Sequence, residues 1–99
     1  MAFDMYLNDE RAYFDHHEEA IFDLITEDNK YPRLNWVLQE FYGSPVIEPN
    51  VSNELVHELI AVRCIIPKEQ RHLVLLIDRL LPFFSKGFVS GTSIRCAGD

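Results

Sequence analysis

The chain has 99 residues, of which 47% are hydrophobic and 12% aromatic, and its formal net charge is −7. This size and composition predict one globular domain over residues 1–99 and exclude a disordered chain. No apolar run reaches the roughly 18 residues of a membrane span, and the amino terminus lacks the features of a secretory signal. We therefore expect a cytoplasmic protein.

The charge is unevenly placed along the chain. Residues 1–28 carry nine acidic side chains and one basic side chain, Arg11, and so hold a net charge of −8. Residues 29–99 hold eight basic and seven acidic side chains. Such a field repels nucleic acid and anionic membranes and attracts basic partners, although solubility alone would explain the same excess.

The first predicted elements form a hairpin. Apolar and polar side chains alternate over residues 2–7, which predicts a strand. Residues 8–10, Asn-Asp-Glu, have turn chemistry, and residues 11–14 are expected to return as a second strand.

A helix is predicted to begin at Asp15, with Glu18 completing a capping box, and to end at residues 27–29. Its inward stripe consists of Ile21, Leu24 and Ile25. At 100° per residue, an α-helix places a set of carboxylates at four-residue intervals on one outward face. These residues are Asp15, Glu19, Asp23 and Glu27.

Three more helices follow in the prediction. The second begins at Pro32 and ends at Gly43. The third is capped by Asn50 or Ser52 and ends near Pro67.

The fourth helix is predicted over residues 68–86, with Gly87 as its carboxyl-terminal cap, and residues 92–96 alternate like a final strand. The predicted fold class is therefore α+β. About four helices pack with a two- or three-stranded antiparallel sheet formed by the two termini.

The motifs that carry chemistry are incomplete. His57 and Glu58 begin a zinc-peptidase pattern, but Ala61 stands where the second histidine is required. His16 and Glu19 lie one turn apart and supply only two metal ligands. Nucleophile-elbow and phosphate-binding glycine motifs are absent from the sequence. We expect no catalytic residue, no metal site and no cofactor.

Two other functions stay open. One is a small enzyme or metal-binding protein that uses His16, His57 or His72 with nearby carboxylates. The other is an adaptor or homo-oligomeric module that uses a cluster of aromatic residues, although aromatic side chains more often fill a small core. This cluster consists of Phe83, Phe84 and Phe88.

The two cysteines lack the spacing of a zinc site or a redox motif. In a cytoplasmic protein they are expected to be reduced. We expect Cys64 to lie buried on the third helix and Cys96 on the terminal strand.

A small acidic α+β domain without catalytic motifs resembles the immunity proteins of bacterial contact-dependent and polymorphic toxin systems. The strings DHHEEAIF at residues 15–22 and LLPFFSK at residues 80–86 also resemble those of short bacterial proteins. The resemblance implies a non-enzymatic inhibitor that binds a basic toxin domain, as a monomer or weak homodimer, without nucleic acid or membrane. The partner-binding residues that the charge pattern predicts are Asp9, Glu10, Asp15, Glu19, Asp23 and Glu27.

Overall fold

The computed structural model describes residues 3–26 and 30–98. It confirms the α+β class, but the sheet has four strands rather than two or three. The strands are β1 (Phe3–Leu7), β2 (Glu10–Phe14), β3 (Val46–Ile47) and β4 (Ile94–Gly98). The longer helices are a 3-10 helix (His16–Leu24), α1 (Pro32–Gln39), α2 (Pro49–Arg63) and α3 (His72–Ser90).

The sheet joins the two ends of the chain, as the sequence predicts. Its strand order is β2-β1-β4-β3, and each neighbouring pair is antiparallel. The predicted hairpin is present, and Asn8 takes the left-handed conformation that its turn requires, with φ 55°. β3 was not predicted, because two residues are too few to show an alternating pattern.

Residues 16–24 form a 3-10 helix, so the expectation of an α-helix over this segment is wrong. A 3-10 helix has three residues per turn, and side chains at i and i+3 lie above one another. Glu18 and Ile21 follow this spacing and are both buried, and Phe22 is buried beside them. The inward face therefore includes a carboxylate that the α-helical pattern did not select.

The start of α2 differs from the prediction. Glu48 is its amino-terminal cap and Pro49 its first residue, where a missing N–H costs nothing. Asn50 and Ser52 therefore lie within the helix rather than at its cap. Ser52 is fully buried, facing α3 near Gly87.

The end of α3 also differs from the prediction. A short 3-10 turn (Lys68–Gln70) precedes this helix, which continues past Gly87 to Ser90. Gly91, with φ 64°, is the actual cap, and the amide of Thr92 donates to the carbonyl of Gly87 at 3.0 Å. Gly87 instead lets Ile94 pack closely against α3, since a Cβ at this position would lie 3.1 Å from the Ile94 side chain.

The core lies between the inner face of the sheet and the helices. Phe3 stacks on Phe41 with ring centroids 4.9 Å apart, and Phe14 stacks on Phe22 at 5.7 Å. Such aromatic pairs contribute about 0.5–1.5 kcal/mol beyond the burial of their area. They hold the 3-10 helix and the end of α1 against the hairpin.

Candidate acidic binding surface

The first group of candidate carboxylates lies at the β1–β2 turn. Asp9 is exposed and has no hydrogen bond or ion pair within residues 3–26 and 30–98. Glu10 forms an ion pair with Lys86 on α3. β2 then separates this turn from the 3-10 helix by about 13 Å, at roughly 3.3 Å per residue. The acidic residues therefore form two groups rather than one.

The second group lies on the 3-10 helix and its cap. Asp15, Glu19 and Asp23 do not share one outward face, because steps of four residues at about 120° per residue direct them to three sides. Asp15 and Glu19 are partly buried, whereas Asp23 is exposed. The fourth predicted member, Glu27, lies outside the described residues.

Glu18 is the acidic residue whose role the sequence pattern missed. Its side chain is 6% exposed and accepts a hydrogen bond from Nη2 of Arg79 at 2.7 Å. This bond, together with the charge of Glu18, raises the pKa of Arg79. Glu18 thus holds the fold together and is unavailable to a partner. The only local signal was its place in the capping box.

Ion pairs within the chain neutralise part of the acidic segment. Asp4 pairs with Arg11 across the hairpin, and Glu10 and Glu18 pair with bases of α3. His16 lies 3.6 Å from the carboxylate of Glu19. Asp9 and Asp23 are the exposed carboxylates in residues 3–26 for which the structure gives no basic partner. They are the strongest candidates for contact with an external cation.

The histidines do not converge on one site. His17 and His72 are both exposed, with ring centroids 5.8 Å apart. His57 is exposed on α2, and His16 pairs with Glu19. In the part of the chain that the structure describes, no group of three or more His, Cys, Asp or Glu side chains is placed to hold a metal ion.

Glu58, the second residue of the zinc-peptidase-like pattern, has a structural role. Both carboxylate oxygens of Glu58 accept backbone hydrogen bonds at the start of α1, from Arg33 at 3.1 Å and Leu34 at 2.9 Å. α1 has no side-chain cap of its own, so Glu58 of α2 satisfies amides that the first turn leaves free. Glu54, one turn earlier, pairs with the side chain of Arg33.

The aromatic residues of α3 divide between core and surface. Phe83 and Phe84 are buried, with ring centroids 5.8 Å apart, whereas Phe88 is 46% exposed. Two of the three adaptor candidates therefore belong to the core.

The cysteines are both free, but their burial differs from expectation. Cys96 is buried on β4, and its burial raises the pKa of the thiol to about 12. The expectation that Cys64 is buried is wrong: it caps the carboxyl end of α2, where the backbone leaves the core, and it is exposed.

No protein-family model, curated protein or solved structure matches this chain. Within residues 3–26 and 30–98, no helix combines the length and apolar character needed to cross a membrane.

Proposed function

We propose that this protein is a non-enzymatic inhibitor that binds a basic protein partner in the cytoplasm, as a bacterial immunity protein binds its toxin. The observation that carries the proposal is the pair of exposed carboxylates, Asp9 and Asp23, which have no basic partner among the described residues. They lie in a segment whose net charge is −8. A basic partner would supply the missing counter-charges.

The other candidate residues are expected to contribute less to partner binding. Asp15, at the cap, and Glu19 are partly buried and point to other sides of the 3-10 helix than Asp23, but they add to the local negative potential. Glu10 is held by Lys86 and can bind a partner only by exchanging that pair. We expect Asp9 and Asp23 to contribute most to the rate of association, because exposed rim charges act mainly by steering.

The experiment begins with affinity capture of the partner from the native cell. Binding kinetics are then measured over a salt series for the wild type and the double variant Asp9→Asn/Asp23→Asn. The matched control is Glu40→Gln/Glu69→Gln, which removes two exposed carboxylates outside the acidic segment. The captured partner should be basic and should lose its activity in the complex.

At low salt, the test variant should associate about tenfold more slowly than the wild type, and the control should change much less. High salt should remove the difference, because the screening length falls to about 3 Å at about 1 M salt. Equal slowing of both variants would show that only the net charge matters. A captured partner that is acidic, or that this chain modifies catalytically, would overturn the proposal.

A further inference from the structure

The outer face of the sheet carries a row of side chains that runs across all four strands. Along β1, Tyr6 alternates with buried Met5 and Leu7 and therefore lies on the face opposite the core. The register aligns Tyr6 with Arg11 on one side and with Arg95 on the other, and Arg95 is aligned with Val46 of β3. The row is therefore Arg11, Tyr6, Arg95 and Val46.

The two arginines of this row differ in their partners. Arg11 forms an ion pair with Asp4, and its guanidinium lies 5.0 Å from the centre of the Tyr13 ring. Arg95 is exposed, and its side chain has no hydrogen bond, ion pair or ring contact within residues 3–26 and 30–98. In a chain of net charge −7, Arg95 is an uncompensated cation available to a ligand.

Arg95 lines a surface groove. The groove has a volume of about 410 Å³, and its lining includes Tyr6, Ser44, Pro45, Val46, Arg95 and Ala97. Tyr6 is 37% and Val46 48% exposed. The groove thus offers one guanidinium, one phenol and one hydroxyl beside apolar surface.

The groove borders an open edge of the sheet. The amides of Cys96 and Gly98 donate to the carbonyls of Pro45 (3.1 Å) and Gly43 (2.8 Å). Because backbone groups alternate in direction along an extended segment, the N–H and C=O of Ser44 and Val46 point away from β4.

The opposite edge of the sheet is partly covered. There, the outward carbonyl of Tyr13 on β2 accepts a hydrogen bond from Nη2 of Arg79 at 3.1 Å. An unpaired edge is a template for another strand, and a covering side chain removes that template. The segment of residues 43–47 is therefore the more open of the two edges for strand addition.

We propose that this edge and groove bind an extended acidic segment of a partner protein by strand addition. Backbone hydrogen bonds would form with Ser44 and Val46, and a carboxylate of the segment would pair with Arg95. This is a second surface, with charge preference opposite to that of Asp9 and Asp23, and it does not depend on the proposed inhibitor function.

The charges of the chain favour this occupant over two others. Nucleic acid would bring a phosphate at every nucleotide to a chain of net charge −7, against one unpaired guanidinium on this face. A second copy paired edge to edge would bring another Arg95 to the symmetry-related position instead of a carboxylate.

The test uses isotope-labelled full-length protein and a blocked seven-residue peptide of alternating valine and glutamate. The comparison peptide replaces glutamate with lysine. The glutamate peptide should give saturable NMR shifts at the amides of Ser44 and Val46 and at the side-chain N–H of Arg95. It should also slow hydrogen exchange at both amides. The absence of saturable shifts at millimolar peptide, or equal binding of the lysine peptide, would overturn the proposal.

Two variants separate the parts of the site. Arg95→Gln should weaken binding of the glutamate peptide by about tenfold or more. Val46→Pro should do the same by removing an outward N–H, since proline is tolerated on an edge strand when its nitrogen faces solvent. The matched control is Arg11→Gln, which makes the same charge change in the same row and should leave binding intact.

Two further outcomes would assign this face to a different occupant. Tighter Arg95-dependent binding of a short oligothymidine than of the peptide would assign the face to nucleic acid. A concentration-dependent mass that Val46→Pro abolishes would assign it to a second copy. Either result, or equal weakening by Arg11→Gln and Arg95→Gln, would overturn the peptide proposal.

Discussion

The Oε1 atom of Glu18 accepts a hydrogen bond from Nη2 of Arg79 at 2.7 Å and another from the backbone amide of Asp15 at 2.9 Å. The same nitrogen of Arg79 donates to the carbonyl of Tyr13 at 3.1 Å. This pair therefore joins the 3-10 helix, α3 and the edge of the sheet. The guanidinium of Arg79 also lies over the Tyr13 ring, 4.7 Å from its centre.

Replacing Glu18 with Gln is expected to lower the free energy of unfolding by about 2 kcal/mol, because the uncharged amide oxygen is a weaker acceptor and leaves the charge of Arg79 without its counter-charge. A fully buried pair would cost about 3–5 kcal/mol, but the Arg79 side chain is 35% exposed, and solvent compensates part of the loss. Chemical denaturation measures the change. Glu19→Gln is the control and should cost less than about 0.5 kcal/mol.

A double-mutant cycle with Arg79→Met tests whether the two side chains act together. The Arg79→Met substitution should cost much less in the Glu18→Gln background than in the wild type. Strictly additive losses would contradict the assigned coupling.

The Glu58 carboxylate is expected to stabilise α1 from outside that helix. Glu58→Ala should lower the free energy of unfolding by about 1 kcal/mol, the usual cost of losing an amino-terminal cap. It should also speed hydrogen exchange at the amides of Arg33 and Leu34, because these amides donate hydrogen bonds to Glu58.

The neighbouring variant Glu54→Ala provides the control for this cap. It removes an exposed ion pair with Arg33 and should cost at most a few tenths of a kcal/mol. If the two alanine variants lose equal stability and leave the amides of α1 equally protected, Glu58 is not the cap.

The short-range sequence pattern predicted some features of the acidic segment correctly and others wrongly. The hairpin and the helix starts at Asp15 and Pro32 were predictable, because turn residues, capping residues and proline act on their immediate neighbours. The choice between an α-helix and a 3-10 helix was not, because nine residues with large apolar side chains at positions 21, 22 and 24 suit either period.

The contacts that define the candidate site were also beyond local pattern. Glu18 and Arg79 are 61 positions apart, and Glu10 and Lys86 are 76 apart. Only the fold shows which carboxylates are already paired. The same holds for Arg95, whose position beside Tyr6 depends on the pairing of β1 with β4.

The two thiols should differ sharply in alkylation. At mildly alkaline pH, iodoacetamide should modify exposed Cys64 in the folded protein and leave buried Cys96 unmodified. Mass spectrometry of peptides from the native protein should find a single modified site, and denaturation before alkylation should expose both. Modification of Cys96 at the rate of Cys64 would show that β4 detaches readily from the sheet.

Stability should also depend on Cys96 at high pH. The thiol ionises near 9.0 in the unfolded chain, and burial raises its pKa to about 12 in the folded protein. Between these values the folded state keeps a proton that the unfolded state loses, so the free energy of unfolding falls as pH rises. Relative to Cys96→Ala, the wild type should lose up to about 1.4 kcal/mol per pH unit in this window. Below about pH 8 the difference should be constant; a decline that begins at neutral pH would contradict the assignment.

Gly98, at the end of β4, is expected to be the glycine least able to accept a side chain. A methyl group there would overlap the backbone carbonyl oxygen of Phe41, which cannot move aside as a flexible side chain can. Gly98→Ala should therefore cost about 1–3 kcal/mol, the usual penalty of overpacking, and should weaken the hydrogen bond from Gly98 to the carbonyl of Gly43. Thermal unfolding and hydrogen exchange along β4 measure both effects.

Gly43→Ala is the matched control: its nearest non-neighbouring atoms lie 3.5 Å from the added carbon, so it should be neutral or slightly stabilising. If both variants keep wild-type stability, the carboxyl end of β4 is not held against residues 41–43, and the open edge proposed for strand addition loses the support that positions it.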